Sequence, residues 1–384
     1  MQVGKLLAYL KVNWPQIKTQ LLAGTYKPNP VRRVEIPKPN GKGTRKLGIP
    51  CVVDRFIQQA VMQILQKGFD PTFSKYSYGF RPGKSAHQAI LQAQEYLKQG
   101  YEYVVDIDLE EFFNRINHDR LISALMKVVK DKRVIALIRA FLNAGVMDGG
   151  LFKKTNEGAP QGGPLSPLLS NILLDELDRE LAARGHKFVR YADDCNVYVK
   201  SKRAGERVMK SISNFISRKL LLKVNESKSA VARPQERTFL GFSFTGGKTP
   251  NRRKIAESSI EKFKNKIRKL TNRNYSISLD VRIKALRNFI NGWKAYFGFC
   301  EANNVLRDLD SWIRRRLRCV LWKQWKVYKK RMRELMNRGV SPGMAITSAW
   351  SSKGPWKMAH TPAVRIALPN KFFDSIGLPR LWSE

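Results

Sequence analysis

Two adjacent carboxylates between strand-forming runs are the residues of this sequence best suited to chemistry. They lie in Lys187-Phe188-Val189-Arg190-Tyr191-Ala192-Asp193-Asp194-Cys195-Asn196-Val197-Tyr198-Val199, which reads as a hairpin with Asp193 and Asp194 at its tip. Neighbouring aspartates repel each other, and a cation relieves that repulsion. A further acid lies in Tyr103-Val104-Val105-Asp106-Ile107-Asp108-Leu109, another strand-like run. Three carboxylates from two neighbouring strands could hold a pair of Mg²⁺ ions, the arrangement that serves in-line attack on a phosphate. The alternative is a solvated turn, where aspartate is common.

The elements that must position these acids belong to a strongly basic chain. It has 384 residues with 71 Lys+Arg against 31 Asp+Glu, a formal net charge of +40, which attracts polyanions. Hydrophobic residues at 43% are enough for real cores and exclude a basic disordered tail. Cys51, Cys195, Cys300 and Cys319 form no C-x-x-C pair, so neither a zinc ribbon nor a disulfide framework is expected. No apolar run approaches membrane-spanning length and no signal peptide is recognisable, so a cytoplasmic protein with no membrane partner is expected. Residues 251–384 hold 30 Lys+Arg and 9 Asp+Glu, and seven of the eight tryptophans. Cations interleaved with large aromatics suit RNA, whose splayed bases stack while its phosphates pair; an aromatic core beneath a solvated basic face would explain the tryptophans alone.

Apolar spacing predicts a helix over 1–22, a basic hairpin over 31–50 turning at Pro39–Gly43, and amphipathic helices over 54–66 and 85–98. Ser77-Tyr78-Gly79-Phe80-Arg81-Pro82 between them is too specific in composition for a simple linker. A Gly/Pro-rich stretch, Gly158–Pro167, runs into a helix over about 168–183, and another helix follows over 204–220. Residues 237–244 read as a short strand pair, and Gly246–Asn251 as the expected domain boundary. Three helices, 258–271, 279–300 and 308–338, follow. In Ile116-Asn117-His118, the histidine is read as a cap or packing residue before a catalytic base.

Arg45-Lys46-Leu47-Gly48-Ile49-Pro50, Ser77-Tyr78-Gly79-Phe80-Arg81-Pro82, Pro160-Gln161-Gly162, Tyr191-Ala192-Asp193-Asp194 and Leu240-Gly241-Phe242 occur in that order. Together they resemble the reverse transcriptase/maturase encoded by bacterial group II introns. The tail adds Asn291-Gly292-Trp293 with Tyr296-Phe297, and Lys353-Gly354-Pro355-Trp356. The resemblance implies an α+β fold: a right-hand polymerase with fingers (1–100) and palm (101–250) carrying an antiparallel sheet, then a mainly helical thumb/maturase domain (251–384). It assigns Asp108, Asp193 and Asp194, with the Leu109 carbonyl, to a site for two Mg²⁺ ions. Asp108 is preferred to Asp106 because the family's aromatic follows its catalytic acid by five residues, as Phe113 does here. Phe113 matches the sugar gate that excludes a 2′-hydroxyl, with a core phenylalanine as the other reading. Lys38 and Arg45 match the basic pair on the incoming triphosphate, Gln161 the nucleotide pocket, and Lys228 a further triphosphate ligand.

The implied partners are group II intron RNA, an RNA template with a DNA primer, dNTPs, target DNA and a possible second copy. The family's N-terminal extension is longer than the stretch before Trp14, and the absence of a C-terminal His/Asn/Cys cluster resembles the endonuclease-less subclass. Arg314, Arg315, Arg316 and Arg318 on the third tail helix are the candidate RNA contacts, with Arg314 and Arg318 sharing a face. Competing readings are a stand-alone retroelement or defence reverse transcriptase, an RNA-binding splicing cofactor without polymerase activity, and a template-directed RNA polymerase. The intact acids oppose the second, and Phe113 the third.

Overall fold

The computed structural model describes residues 2–37, 43–155 and 157–382. Among them the chain divides into two compact units, Met1–Arg237 and Thr238–Glu384. The fold is mixed α and β, with the β-structure concentrated in the first unit.

The first unit carries two four-stranded sheets. β1 (Val31–Pro37) and β2 (Thr44–Ile49) pair antiparallel, as their alternation predicts, with Arg32 opposite Ile49. Lys38 and most of the turn between them lie outside the described residues. The second sheet is built on β3 (Tyr103–Ile107) at its centre. β4 (Val146–Asp148) and β5 (Leu151–Lys153) extend the first sheet, β4 running parallel to β1. β6 (Lys187–Tyr191) and β7 (Asp194–Val199) form the acidic hairpin, and β8 (Ala230–Ala232) completes the second sheet in the antiparallel order β6-β7-β3-β8.

Helix Ser166–Ala183 is the core of this unit. It buries Leu168, Leu169, Leu173, Leu174, Leu177 and Leu181 with Ile107, Phe188 and Val197 of the sheet. Helix Ala86–Lys98 starts with a capping box, in which Ser85 and Gln88 each satisfy the other's backbone N–H. Helix Leu6–Ala23 forms as its periodicity predicts, but Ile17 alone of its residues is buried. Ile17 packs with Ile57 and Phe141 in a satellite core.

The second unit is helical apart from one hairpin. β9 (Phe242–Phe244) pairs with β10 (Arg253–Ile255), so the Gly246–Asn251 stretch is the loop joining two paired strands. Within 237–244 the chain reverses at Leu240-Gly241, where both residues have positive φ and Phe239 and Phe242 exchange backbone hydrogen bonds. The predicted helices over 258–271 and 279–300 appear as Glu257–Leu270 and Leu279–Phe297. The predicted helix over 308–338 is instead two, Asn304–Gln324 and Tyr328–Met336. Trp325 leaves helical geometry to pack against Trp322, their ring centroids 6.0 Å apart, and Arg331 Nε donates to the Trp325 carbonyl at 3.0 Å. An apolar period alone does not encode such a break.

Four short helices follow, beginning with Pro342–Ala349 and ending with Asn370–Ser375. Trp322 is fully buried, whereas Trp350 is 64% exposed. Trp322→Ala should therefore destabilise the second unit by about 3–5 kcal/mol. Trp350→Ala should cost less than ~1 kcal/mol. Chemical denaturation of both variants reads the contrast.

Candidate active site

The acids are placed by register. In the β3–β7 pair Ile107 stands opposite Cys195, so one step beyond the strand brings Asp108 level with Asp194. The β6–β7 pair closes with Tyr191 opposite Asp194, leaving Ala192-Asp193 as a two-residue turn. Ala192 there has φ +58°, a left-handed conformation that costs an L-residue about 1–2 kcal/mol.

Buried polar contacts hold that turn. The Arg190 guanidinium is fully buried and forks onto Asp178, with Nε–Oδ1 at 2.7 Å and Nη2–Oδ2 at 2.6 Å. Its Nη1 donates to the Ala192 carbonyl at 2.9 Å and to Asn171 Oδ1 at 3.0 Å. Asn171 Nδ2 donates in turn to the Gly79 carbonyl at 2.8 Å. Ser77-Tyr78-Gly79-Phe80-Arg81-Pro82 is thus a brace for the acidic turn. The Arg190 backbone bonds to Tyr76 and Tyr78, and a Cβ on Gly79 would overlap the Ala192 backbone nitrogen. Arg81 folds the loop on itself, bonding to Asp70 and to the carbonyls of Ser74 and Ser77.

Asp108 is fixed through its backbone. Its N–H donates to Ser229 Oγ at 3.0 Å, and its carbonyl accepts from the Asn225 N–H at 2.8 Å. The Leu109–Val224 bridge uses the carbonyls of Asp108 and Lys223 and leaves that of Leu109 out of the ladder. Lys228 Nζ, on the same loop, lies 3.2 Å from Asp108 Oδ2. Asp106, the rival acid, is clamped by Arg237, with Nη2–Oδ2 at 2.6 Å.

The carboxylates feel one another. Asp194 reaches solvent at the hairpin tip, yet desolvation by the surrounding protein, followed by Asp193, Asp106 and Asp108, pushes its carboxyl up to about 7, with Lys228 opposing. Asp193 is also raised, first by burial and then by Asp108, while Arg45 and Arg190 act the other way. Such a cluster of hard oxygen donors with unrelieved like charge fits a divalent cation. Among the described residues, however, no three acidic, His or Cys side chains converge closely enough to hold an ion directly.

The nucleotide-pocket candidates meet elsewhere in the same unit. Phe113 and Gln161 line one hollow of about 300 Å³ with Lys46, Gly48 and Gly158. The Gly48 N–H donates to the Gln161 carbonyl at 3.0 Å. Phe113 is half-buried, packed edge-to-face with core Phe112 at a 5.1 Å centroid separation, and is among the residues lining the hollow. Gly158, at φ +90°, has the backbone of Phe113 and Asn114 where a Cβ would lie. His118 bridges Asn143 and the Gly158 carbonyl, the latter at 2.7 Å, a packing role that fixes the loop. Arg45 is exposed on β2.

On helix Asn304–Gln324 the face shared by Arg314 and Arg318 points inward. Arg314 pairs with Asp310 and Asp374 at 3.0 and 2.8 Å, and Arg318 donates to the Leu368 carbonyl and Asn370. That pair is buried and engaged inside the unit, not on the exposed face the sequence reading expected; charge spacing along a helix does not say which face is buried. Arg315 and Arg316 are the half-exposed members. Sequence reasoning also missed Arg190, Asp178, Asn171, Gly79 and Ser229. Polar residues inside the apolar run of helix 166–183 were the available signal for two of them.

The reverse transcriptase (RNA-dependent DNA polymerase) family matches residues 36–244, and the group II intron maturase-specific domain matches residues 260–339. YkfC of Escherichia coli K12 is 33% identical over 279 residues, covering 63% of this chain and 72% of YkfC. The group II intron-encoded protein LtrA of Lactococcus lactis is 42% identical over 175 residues, 46% of this chain but 29% of LtrA. A telomerase from Candida albicans shares the fold at a TM-score of 0.53 and 14% identity, covering 90% of this chain and 62% of that one. The chain belongs to the reverse transcriptase family, in the branch that joins an RNA-dependent DNA polymerase domain to a group II intron maturase-specific domain.

Gly79→Ala should push the Ala192-Asp193 turn out of place and lower primer extension by at least about tenfold, on the principle that small misplacements near reacting groups are costly. Gly68→Ala, which meets nothing within 4 Å, serves as the control and should extend normally. Extension rates of the two folded variants make the comparison.

Proposed function

We propose that this protein extends a DNA primer on an RNA template with dNTPs, and that its second unit binds a group II intron RNA, assisting splicing and the intron's copying into target DNA. The observation that carries this reading is the placement of Asp108 beside the Asp193-Asp194 turn inside the family's polymerase domain. Two Mg²⁺ ions, when bound, lower the pKa of the primer 3′-hydroxyl and neutralise the triphosphate leaving group.

Asp108, Asp193 and Asp194 would hold those ions once the side chains close around them, with the Leu109 carbonyl as an added oxygen. Lys228, already against Asp108, is a largely exposed cation within reach of an incoming triphosphate. Arg45 offers a planar fork to phosphate oxygens, and Lys38 is its partner by the sequence resemblance. Gln161 borders the sugar and base, and the exposed edge of Phe113 fills the space a 2′-hydroxyl would need. For the RNA partner, Arg315 and Arg316 replace the inward pair Arg314 and Arg318.

Asp193→Ala removes one ligand and should reduce Mg²⁺-dependent primer extension by at least about 10³-fold, the scale of losing one electrostatic group at a reacting centre. Normal extension by the purified variant would sink the metal assignment. Phe113→Val should leave extension with dNTPs measurable while raising rNTP use. The ratio of kcat/KM for dNTP and rNTP, compared between wild type and variant, tests it, and an unchanged ratio returns Phe113 to the core.

A further inference from the structure

Three arginines from separate segments of the second unit face one hollow of about 490 Å³. Arg268 comes from the end of helix Glu257–Leu270, Arg273 from the loop beyond it, and Arg316 from the middle of helix Asn304–Gln324. Thr271, Asn272, Asn274, Cys319 and Trp356 complete the wall. Glu261, 2.6 Å from Arg268, is the one carboxylate ion-paired to any of the three among the described residues. Burial, and then the charges of Arg268 and Arg273, hold the Arg316 guanidinium below its ordinary value.

The Arg273 and Arg316 guanidiniums are oriented without a carboxylate partner among the described residues. Arg316 Nε donates to Thr271 Oγ1 at 2.6 Å, and its Nη2 lies 3.4 Å from the Arg268 carbonyl. Arg273 has the Cys319 sulfur, 3.6 Å away, as its hydrogen-bond partner. Aromatic rings interleave with these cations. The Trp312 ring has Arg316 at 5.3 Å and Arg268 at 5.9 Å from its centroid. Trp356, 37% exposed, carries the Arg315 guanidinium 4.0 Å from its ring centroid. Arg315 also donates to the Trp356 backbone carbonyl at 3.1 Å.

We propose that this hollow takes one phosphodiester of a single-stranded RNA segment, with the neighbouring base stacked on the exposed part of Trp356. The volume falls in the ~300–1,000 Å³ range of small-ligand sites. Guanidinium forks match phosphate oxygens, and a ring beside them suits an unstacked base and not an isolated anion. The inference rests on the second unit's being the RNA-binding part, and it names where on that unit a nucleotide sits.

The test titrates a fluorescent 12-nucleotide oligoribonucleotide against the full chain over a range of salt concentrations. Arg273→Gln combined with Arg316→Gln should weaken binding by about tenfold. It should also lower the salt slope by ~0.7 for each phosphate that is no longer neutralised. Trp356→Ala should weaken binding too, and Trp356→Phe should restore it. Failure of the wild type to bind would overturn the RNA-binding reading of the whole unit, and this site with it. Wild-type binding matched by the double variant in affinity and slope would overturn the pocket alone. If inorganic phosphate raises the melting temperature of wild type and not of the double variant, while both bind the oligonucleotide equally, the site takes a free anion and the RNA assignment is wrong.

Discussion

Arg190 lies fully buried between Asp178, Asn171 and the Ala192 carbonyl, and the position of both hairpin aspartates follows from that contact. A buried ion pair is a poor source of net stability, because desolvating both charges offsets their attraction. Its use here is positional. One guanidinium ties helix Ser166–Ala183 to the strand before the turn and to the strained residue within it. Asn171 passes the constraint to Gly79, and the Ser77–Pro82 loop closes over the turn from the other side. Removing any member leaves a buried donor or acceptor unpaired, which costs more than the bond itself contributes.

A second constraint is electrostatic. Burial and then neighbouring carboxylates raise the proton affinity of Asp106, Asp193 and Asp194, and the fold supplies cations with different degrees of commitment. Arg237 is committed: its fork closes on Asp106, with both Nε and Nη2 on one carboxylate oxygen. Lys228 is not. It is largely exposed on a flexible stem and touches Asp108 through one contact. The two carboxylates in the run Asp106-Ile107-Asp108 therefore differ in their partners, since strand alternation puts both on one face.

The second unit uses its basic excess in two ways as well. Arg314 and Arg318 are internal struts, satisfied by Asp310, Asp374, Asn370 and a carbonyl. Arg268, Arg273 and Arg316 are gathered with few acids around aromatic rings. The paired motifs of the tail have a packing basis. Trp293 lies on Phe263 at a 4.3 Å centroid separation, Tyr296 donates to the Leu240 carbonyl at 2.9 Å, and Phe297 sits against Phe242 and Gly241. Leu240-Gly241-Phe242 and Tyr296-Phe297, far apart in the sequence, are two halves of one contact.

The sequence by itself determined the hairpin and its acids, the strand that leads into Asp108, the order of the motifs and hence the family, and the polymerase-then-helical organisation. These are local or ordered features: alternation over five or six residues, a two-residue turn and short strings that need no partner to be recognised. Tertiary structure decided what depends on a partner distant in the chain. It made Arg190, outwardly a strand residue before the turn, the anchor of the site. It turned Arg314 and Arg318 inward, because helical spacing says which residues share a face and not which face meets the core. It broke the third tail helix at Trp325, where burying an indole outweighed continuing the backbone ladder. And it gathered three arginines from separate segments into one pocket, a convergence that no single stretch of sequence contains.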